Sequence, residues 1–275
     1  MANYKFNLTI THLYPELMNL YGDIGNIITL KKRANLRNIK IKINKIGLND
    51  KLTTNSTDIY FLGGGQDSQQ NLIAPDLIKN KKKALLADLN NNAVMLAICG
   101  GYQLLGKYYL NGNKEKSKGV GFFPIETIAP GTNVKQRAIG DIITEIIDKK
   151  TLEEIKRAYQ YKIPTKLIKS LVGFENHSGR TRLLNSKQKH LNKVIYGIGD
   201  SEKQGFEGFR KKNVFGTYMH GSFLPKNPHF ADLLLYLALK RKYEDNFQKL
   251  QQLDDKLEWQ AHKFILARYN LNAKI

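Results

Sequence analysis

Apolar residues change their spacing along this chain, and the changes outline a fold. Leu8 to Leu13 alternates weakly and predicts a first strand. Ile24, Ile27, Ile28, Leu30 and Ala34 then follow helical spacing, behind a turn at Gly22-Asp23-Ile24-Gly25-Asn26. Ile39, Ile41 and Ile43 alternate with Lys40, Lys42 and Asn44, the pattern of a half-exposed edge strand. Ile59-Tyr60-Phe61-Leu62 is a short apolar run that ends in Gly63-Gly64-Gly65-Gln66-Asp67. A helix-like stretch to about Asn90 follows, then a second apolar run up to Ile98. This alternation predicts an α/β fold with a mainly parallel sheet. Ligands of such sheets bind at the carboxyl ends of the strands, where the triple glycine and the residue after Ile98 both fall.

The second half is richer in strands, with Ile142–Ile147, Val194–Ile198 and Val214–Met219 as candidates. The charged stretch at about 148–170 reads as an inserted helix and loop, and Phe230 to Lys242 as an apolar helix. From Tyr243 onward, Phe247, Leu250, Leu253, Leu257 and Phe264 fall near helical spacing. The simplest division is one domain over 1–242 and a C-terminal helical extension over 243–275.

Cys99 is the only cysteine, and it stands between the apolar run ending at Ile98 and a helix-like segment that starts with Gly100-Gly101. This is the setting of a nucleophile elbow, a sharp strand-to-helix turn that lifts a reactive side chain above the sheet. A helix N-terminus beside a thiol favours the thiolate, the species that attacks carbon. A buried structural cysteine is the plain alternative, but it needs neither the flanking glycines nor the turn. Cys99 is therefore read as a catalytic nucleophile.

A thiol nucleophile needs a base. Of six histidines, His220 lies just past the end of a predicted strand, in Gly216-Thr217-Tyr218-Met219-His220-Gly221. Neighbouring strand ends of a parallel sheet converge on one rim, so its imidazole is placed to exchange a proton with Cys99. His177, in Gly173-Phe174-Glu175-Asn176-His177-Ser178-Gly179-Arg180, is the rival. The glycine run lacks the Lys-Ser or Lys-Thr of a phosphate loop. Backbone N–H groups of Gly64 or Gly65 with that of Gly100 are instead expected to form an oxyanion hole. Acyl transfer at an amide fits these parts.

A 41% apolar and 10% aromatic content predicts a folded core and argues against disorder. One cysteine excludes an internal disulfide, and no apolar signal core or membrane-length run is visible, so a reducing cytoplasm is expected. The formal net charge of +20 is compatible with nucleic acid, an anionic membrane surface or an acidic partner, and equally with a source rich in Lys, Asn and Ile. No nucleic-acid motif and no zinc spacing accompany the charge, so neither nucleic acid nor a metal is expected.

Taken together, the glycine run, Cys99-Gly100-Gly101-Tyr102-Gln103-Leu104-Leu105-Gly106, Gly119-Val120-Gly121-Phe122-Phe123-Pro124-Ile125-Glu126-Thr127 and Gly216–Gly221 resemble the class I glutamine amidotransferases. Within them the chain resembles the branch shared with cobyric acid synthase, and the block at Gly173–Thr181 is similar to the GatD-type subgroup, the glutaminase subunits of lipid II isoglutaminyl synthase. The matching blocks run from about Thr9 to about Leu239.

The resemblance implies a three-layer, flavodoxin-like fold and hydrolysis of L-glutamine through a Cys99 thioester, with His220 as general base and acid. It implies that Arg137 and Gln103 hold the substrate. It also implies a heterodimer with MurT, a Mur-ligase-like partner that carries ATP and metal and amidates the D-glutamate of the lipid II stem peptide. The chain itself would need no cofactor, would act near the inner face of the membrane and would contact that anionic surface through lipid II. Many relatives carry an acid two residues after the histidine, where this chain has Ser222. The expectation is that the partner supplies the missing acid. Two alternatives are a glutaminase for cobyrinate-type or another amidation, and a non-catalytic regulatory module of the same fold.

Overall fold

A computed structural model describes residues 4–131, 137–159, 164–201 and 205–271. The first half runs β1 (Phe6–Leu13), α1 (Ile24–Asn35), β2 (Ile39–Ile46), β3 (Ile59–Leu62), α2 (Asp67–Asp76), α3 (Lys82–Asn90), β4 (Val94–Ile98) and α4 (Gly100–Leu105). Next come β5 (Tyr108–Leu110), β6 (Lys116–Lys118), β7 (Ile125–Ile128), β8 (Ala138–Ile146), α5 (Lys149–Ala158), α6 (Thr165–Lys169) and β9 (Ser170–His177). The remainder is β10 (Arg180–Leu183), β11 (Asn192–Tyr196), β12 (Phe206–Glu207), β13 (Phe209–Lys211), β14 (Val214–Thr217), α7 (Pro228–Tyr243) and α8 (Lys256–Arg268).

The central sheet has the order β13-β14-β4-β3-β1-β2, and every pairing in it is parallel except β13 with β14. β3 and β4 are buried throughout, as their unbroken apolar sequences require, whereas β2 alternates at the edge. Register brings the strand ends level: Leu62 lies opposite Leu13 and Ala97, and Ile98 lies opposite Thr217. The loops after β1, β3, β4 and β14 therefore meet at one rim, which is what creates the site.

Two smaller sheets, β10-β7-β5-β6 and β12-β11-β8-β9, take up most of the strand-rich second half. Of the three strands expected there, only β14 joins the central sheet; β8 and β11 pair with each other instead. The helix expected up to Asn90 is divided. Pro75 lies inside α2, and a π-helical stretch, Leu77–Lys81, follows it. Proline removes one backbone donor and crowds the preceding turn, and a wide turn absorbs the disturbance.

The single long helix expected after Tyr243 is also corrected. Residues 247–255 are non-helical, and α8 begins only at Lys256. An ion-pair cluster explains the course of this segment. Arg33 on α1 reaches Asp232 on α7 at 2.7 Å and Asp255 in the tail at 2.6 Å, and Arg37 reaches Asp232 at 2.6 Å. All four side chains are buried, and Tyr159 donates to Asp255 at 2.8 Å. A buried charge cluster is tolerable when each charge is paired and hydrogen-bonded, as here. It ties the tail to α1 and α7, the two helices that follow the loops of the site.

β14 has a carboxylate of its own beneath it. Buried Glu207 accepts hydrogen bonds from the Thr217 hydroxyl at 2.6 Å, Tyr218 N–H at 2.8 Å and the Asn192 amide at 2.8 Å. Burial, aided by nearby Asp200, raises its pKa from 4.5 to about 8. The folded chain thus keeps a proton that the unfolded chain has released. This stabilisation is complete below the unfolded value and is lost as pH rises through about 8. Melting temperatures of wild type are expected to fall between about pH 5 and pH 9 more steeply than those of Glu207→Gln, which cannot titrate. Parallel slopes would show that Glu207 does not carry the effect.

Candidate active site

Cys99 adopts φ 49° and ψ −108°, a conformation that L side chains rarely take. The turn is held on both sides: Cys99 N–H donates to Thr217 O at 2.8 Å, and Gln103 N–H donates to Cys99 O at 2.9 Å. Glycine is needed after it because a Cβ on Gly101 would come within 2.4 Å of Leu62 O. The nucleophile elbow read from the sequence is present, strain included.

His220 is fully buried beside Cys99, three residues past the end of β14. Its backbone is gripped by β9: His220 N–H donates to Phe174 O at 2.7 Å, and Phe174 N–H donates back to His220 O at 3.4 Å. Nδ1 lies 3.2 and 3.3 Å from the two carboxylate oxygens of Asp23, and among the described residues Nε2 has no partner other than the Cys99 side chain. Burial alone would lower the pKa of this imidazole. The sulfur of Cys99 and the carboxylate of Asp23 outweigh burial and raise it to about 10.

Asp23 corrects two expectations. First, a buried acid of this chain lies against the imidazole, in the place expected of a partner's acid. It sits in the loop after β1, at the head of α1, and is itself buried. Ser222 occupies the position where relatives of the His-x-Glu pattern have their acid. Its hydroxyl donates to Gly22 O at 2.8 Å, tying the histidine loop to the loop that carries Asp23. Secondly, Gly64 N–H donates to Asp23 Oδ2 at 2.8 Å, so Gly64 serves the acid and not an oxyanion. Gly64 must still be glycine, because a Cβ there would lie 2.3 Å from His220 Cε1. The N–H groups of Gly65 and Gly100 accept no such duty among the described residues and remain available.

Gly65, Cys99, Gln103 and Arg137 line one cleft of about 380 Å³, together with Asp67, Tyr109, Asn176 and His177. The size suits a single amino acid. Gln103 donates to the Tyr218 hydroxyl at 2.9 Å, while its buried Oε1 has no partner among the described residues. Arg137 is steadied by Asn176, to whose Oδ1 it donates at 2.9 Å. His177, the rival base, is buried 3.4 Å from Glu175, with its ring 4.1 Å from that of Tyr218. It forms part of the wall, while His220 is the histidine whose side chain meets Cys99. Asp23 was visible in the sequence only as part of a turn. The one signal available was its position at a strand end immediately before a helix.

The CobB/CobQ-like glutamine amidotransferase domain matches residues 9–228. The chain is 41% identical, over 90% of its length and 86% of the relative's, to the lipid II isoglutaminyl synthase (glutamine-hydrolyzing) subunit GatD of Streptococcus pneumoniae. It is 36% identical, over 97% of its length and 98% of the relative's, to the subunit of the same name in Staphylococcus aureus. Among solved structures, PurLQS of Thermotoga maritima superposes with a TM-score of 0.53 at 15% identity, covering 85% of this chain and 99% of that one. A glutamine amidotransferase of the same organism gives 0.51 at 17% identity, covering 94% of each chain. At such identities the superpositions bear on the fold alone. With the strained cysteine elbow and the buried histidine both inside the matched residues 9–228, the chain belongs to the CobB/CobQ-like glutamine amidotransferase family.

Proposed function

We propose that this chain is the glutamine-hydrolysing subunit of a lipid II isoglutaminyl synthase. The observation that carries the reading is the line Cys99, His220, Asp23 at one rim of the sheet, in a chain so similar to two subunits of that name. Cys99 attacks the side-chain amide carbonyl of L-glutamine. Gly65 and Gly100 N–H groups stabilise the oxyanion that develops, and Arg137 and Gln103 hold the substrate. His220, with a pKa raised to about 10, holds the proton released by the thiol and delivers it to the departing amine. The products of this step are a Cys99 thioester and ammonia. His220 then takes a proton from water, whose attack releases glutamate. Asp23 accepts from Nδ1–H throughout, which fixes the tautomer that faces the sulfur.

Ammonia in bulk water would be protonated and lost as a nucleophile, so the consumer must dock over the cleft. That partner is a Mur-ligase-like chain of the MurT type. It uses ATP and metal to activate the D-glutamate α-carboxylate of the lipid II stem peptide, at the inner face of the membrane. No helix of the described residues is long and apolar enough to cross a membrane, so contact with that surface would run through lipid II.

The test is reconstitution. This chain, a co-expressed Mur-ligase-like partner, ATP, Mg²⁺, lipid II and L-glutamine are expected to give lipid II carrying D-isoglutamine, read by mass spectrometry. Glutamate release that proceeds without any amidated lipid II would keep the glutaminase and overturn the acceptor.

A further inference from the structure

We propose that Asp67 binds the α-ammonium group of the substrate opposite Arg137, so that the cleft selects a free α-amino acid and not merely a primary amide. The proposal rests on the glutamine-hydrolysing reading and adds the residue that recognises the substrate's positive end. Among the described residues lining the cleft, Asp67 is the one carboxylate and Arg137 the one guanidinium. A free amino acid presents one charge of each sign at one end and, for glutamine, a neutral amide at the other. With both charged residues toward the exposed rim and Cys99 buried, the charged head sits at the mouth and the amide reaches the sulfur.

Asp67 lines this space. It opens α2 two residues after Gly65, and its neighbour within the cleft is the Tyr109 hydroxyl, which in turn lies near Cys99. No lysine or arginine of the described residues makes a salt bridge with it. Burial pushes its carboxyl upward, and the Tyr109 hydroxyl and Arg137 offset that only in part. A cationic ligand would supply the missing opposite charge. An acid in the first turn of a helix can also serve only to complement the helix dipole. The test must separate these roles.

The experiment measures equilibrium binding by calorimetry, using the full chain with Cys99→Ala so that nothing is turned over. L-Glutamine is compared with 4-carbamoylbutanoate, which keeps the carboxylate and the amide but lacks the amine. The charge-assisted contact predicts that Asp67→Asn weakens L-glutamine binding about 10- to 100-fold and changes 4-carbamoylbutanoate binding by less than about threefold. Asp67→Glu, which retains the charge, is expected to recover part of the loss. Equal weakening of both compounds, or of neither, would overturn the proposal and leave Asp67 as a helix-end residue. Wild-type glutamate release is scored separately. A chain that hydrolyses glutamine but fails the binding comparison loses only the role of Asp67. A chain that binds neither compound loses the glutaminase reading with it.

Discussion

Asp23→Asn is expected to lower kcat for glutamine hydrolysis on the order of 10²- to 10⁴-fold while KM changes little. The reason is the tautomer. Asp23 receives Nδ1–H of His220 at 3.2 Å, which leaves Nε2 to exchange a proton with Cys99. An asparagine can present its amide nitrogen to the ring and stabilise the opposite tautomer, with Nε2 protonated at the wrong moment. Asp23 also stabilises the imidazolium, and that stabilisation goes with the charge. The substitution is nearly isosteric, and an amide oxygen can still accept Gly64 N–H, now at 2.8 Å, so the loop should persist. Steady-state kinetics in the presence of the partner, with circular dichroism as a check on folding, measure this. Unchanged kcat would mean that the acid comes from the partner after all.

Cys99→Ala is expected to reduce glutamate release by a factor on the order of 10⁴ or more, because no other group in the cleft can form the thioester. The backbone adds a second, independent readout. With φ at 49° and ψ at −108°, residue 99 is in a region costly for any residue with a Cβ. Alanine keeps that cost, whereas glycine removes it. Cys99→Gly should therefore be more stable than Cys99→Ala by about 1 kcal/mol, although both are inactive. Denaturant titration of the two variants checks this. If glycine were the less stable, the elbow would not be strained, and the geometric argument for Cys99 would fail.

The sequence was most legible where period and punctuation agreed. β3 and β4 are short apolar runs closed by glycine, and both are buried strands with a functional loop at the carboxyl end. β2 alternates Ile with Lys and Asn and is an edge. The elbow followed from Cys99, its glycines, the apolar run before it and the helix-like segment after it. What escaped was information carried by contacts between distant segments. The acid of the site lies 197 residues from its histidine, and nothing in the local pattern around Asp23 joins the two. The use of Gly64 N–H by that same acid was hidden for the same reason. The tail read as one helix because Phe247, Leu250 and Leu253 keep helical spacing. The pull of Arg33 on Asp255 instead holds the stretch before α8 in a non-helical course. β8 and β11 were recognisable as strands, but strand period does not say which sheet a strand joins.

The most direct test of the central claim is glutamate release from L-glutamine by this chain with its co-purified ligase partner, comparing wild type with Cys99→Ala. Wild type is expected to turn over glutamine, and the substitution to abolish that turnover. Turnover that survives Cys99→Ala, or a wild-type complex that binds glutamine without hydrolysing it, would contradict it.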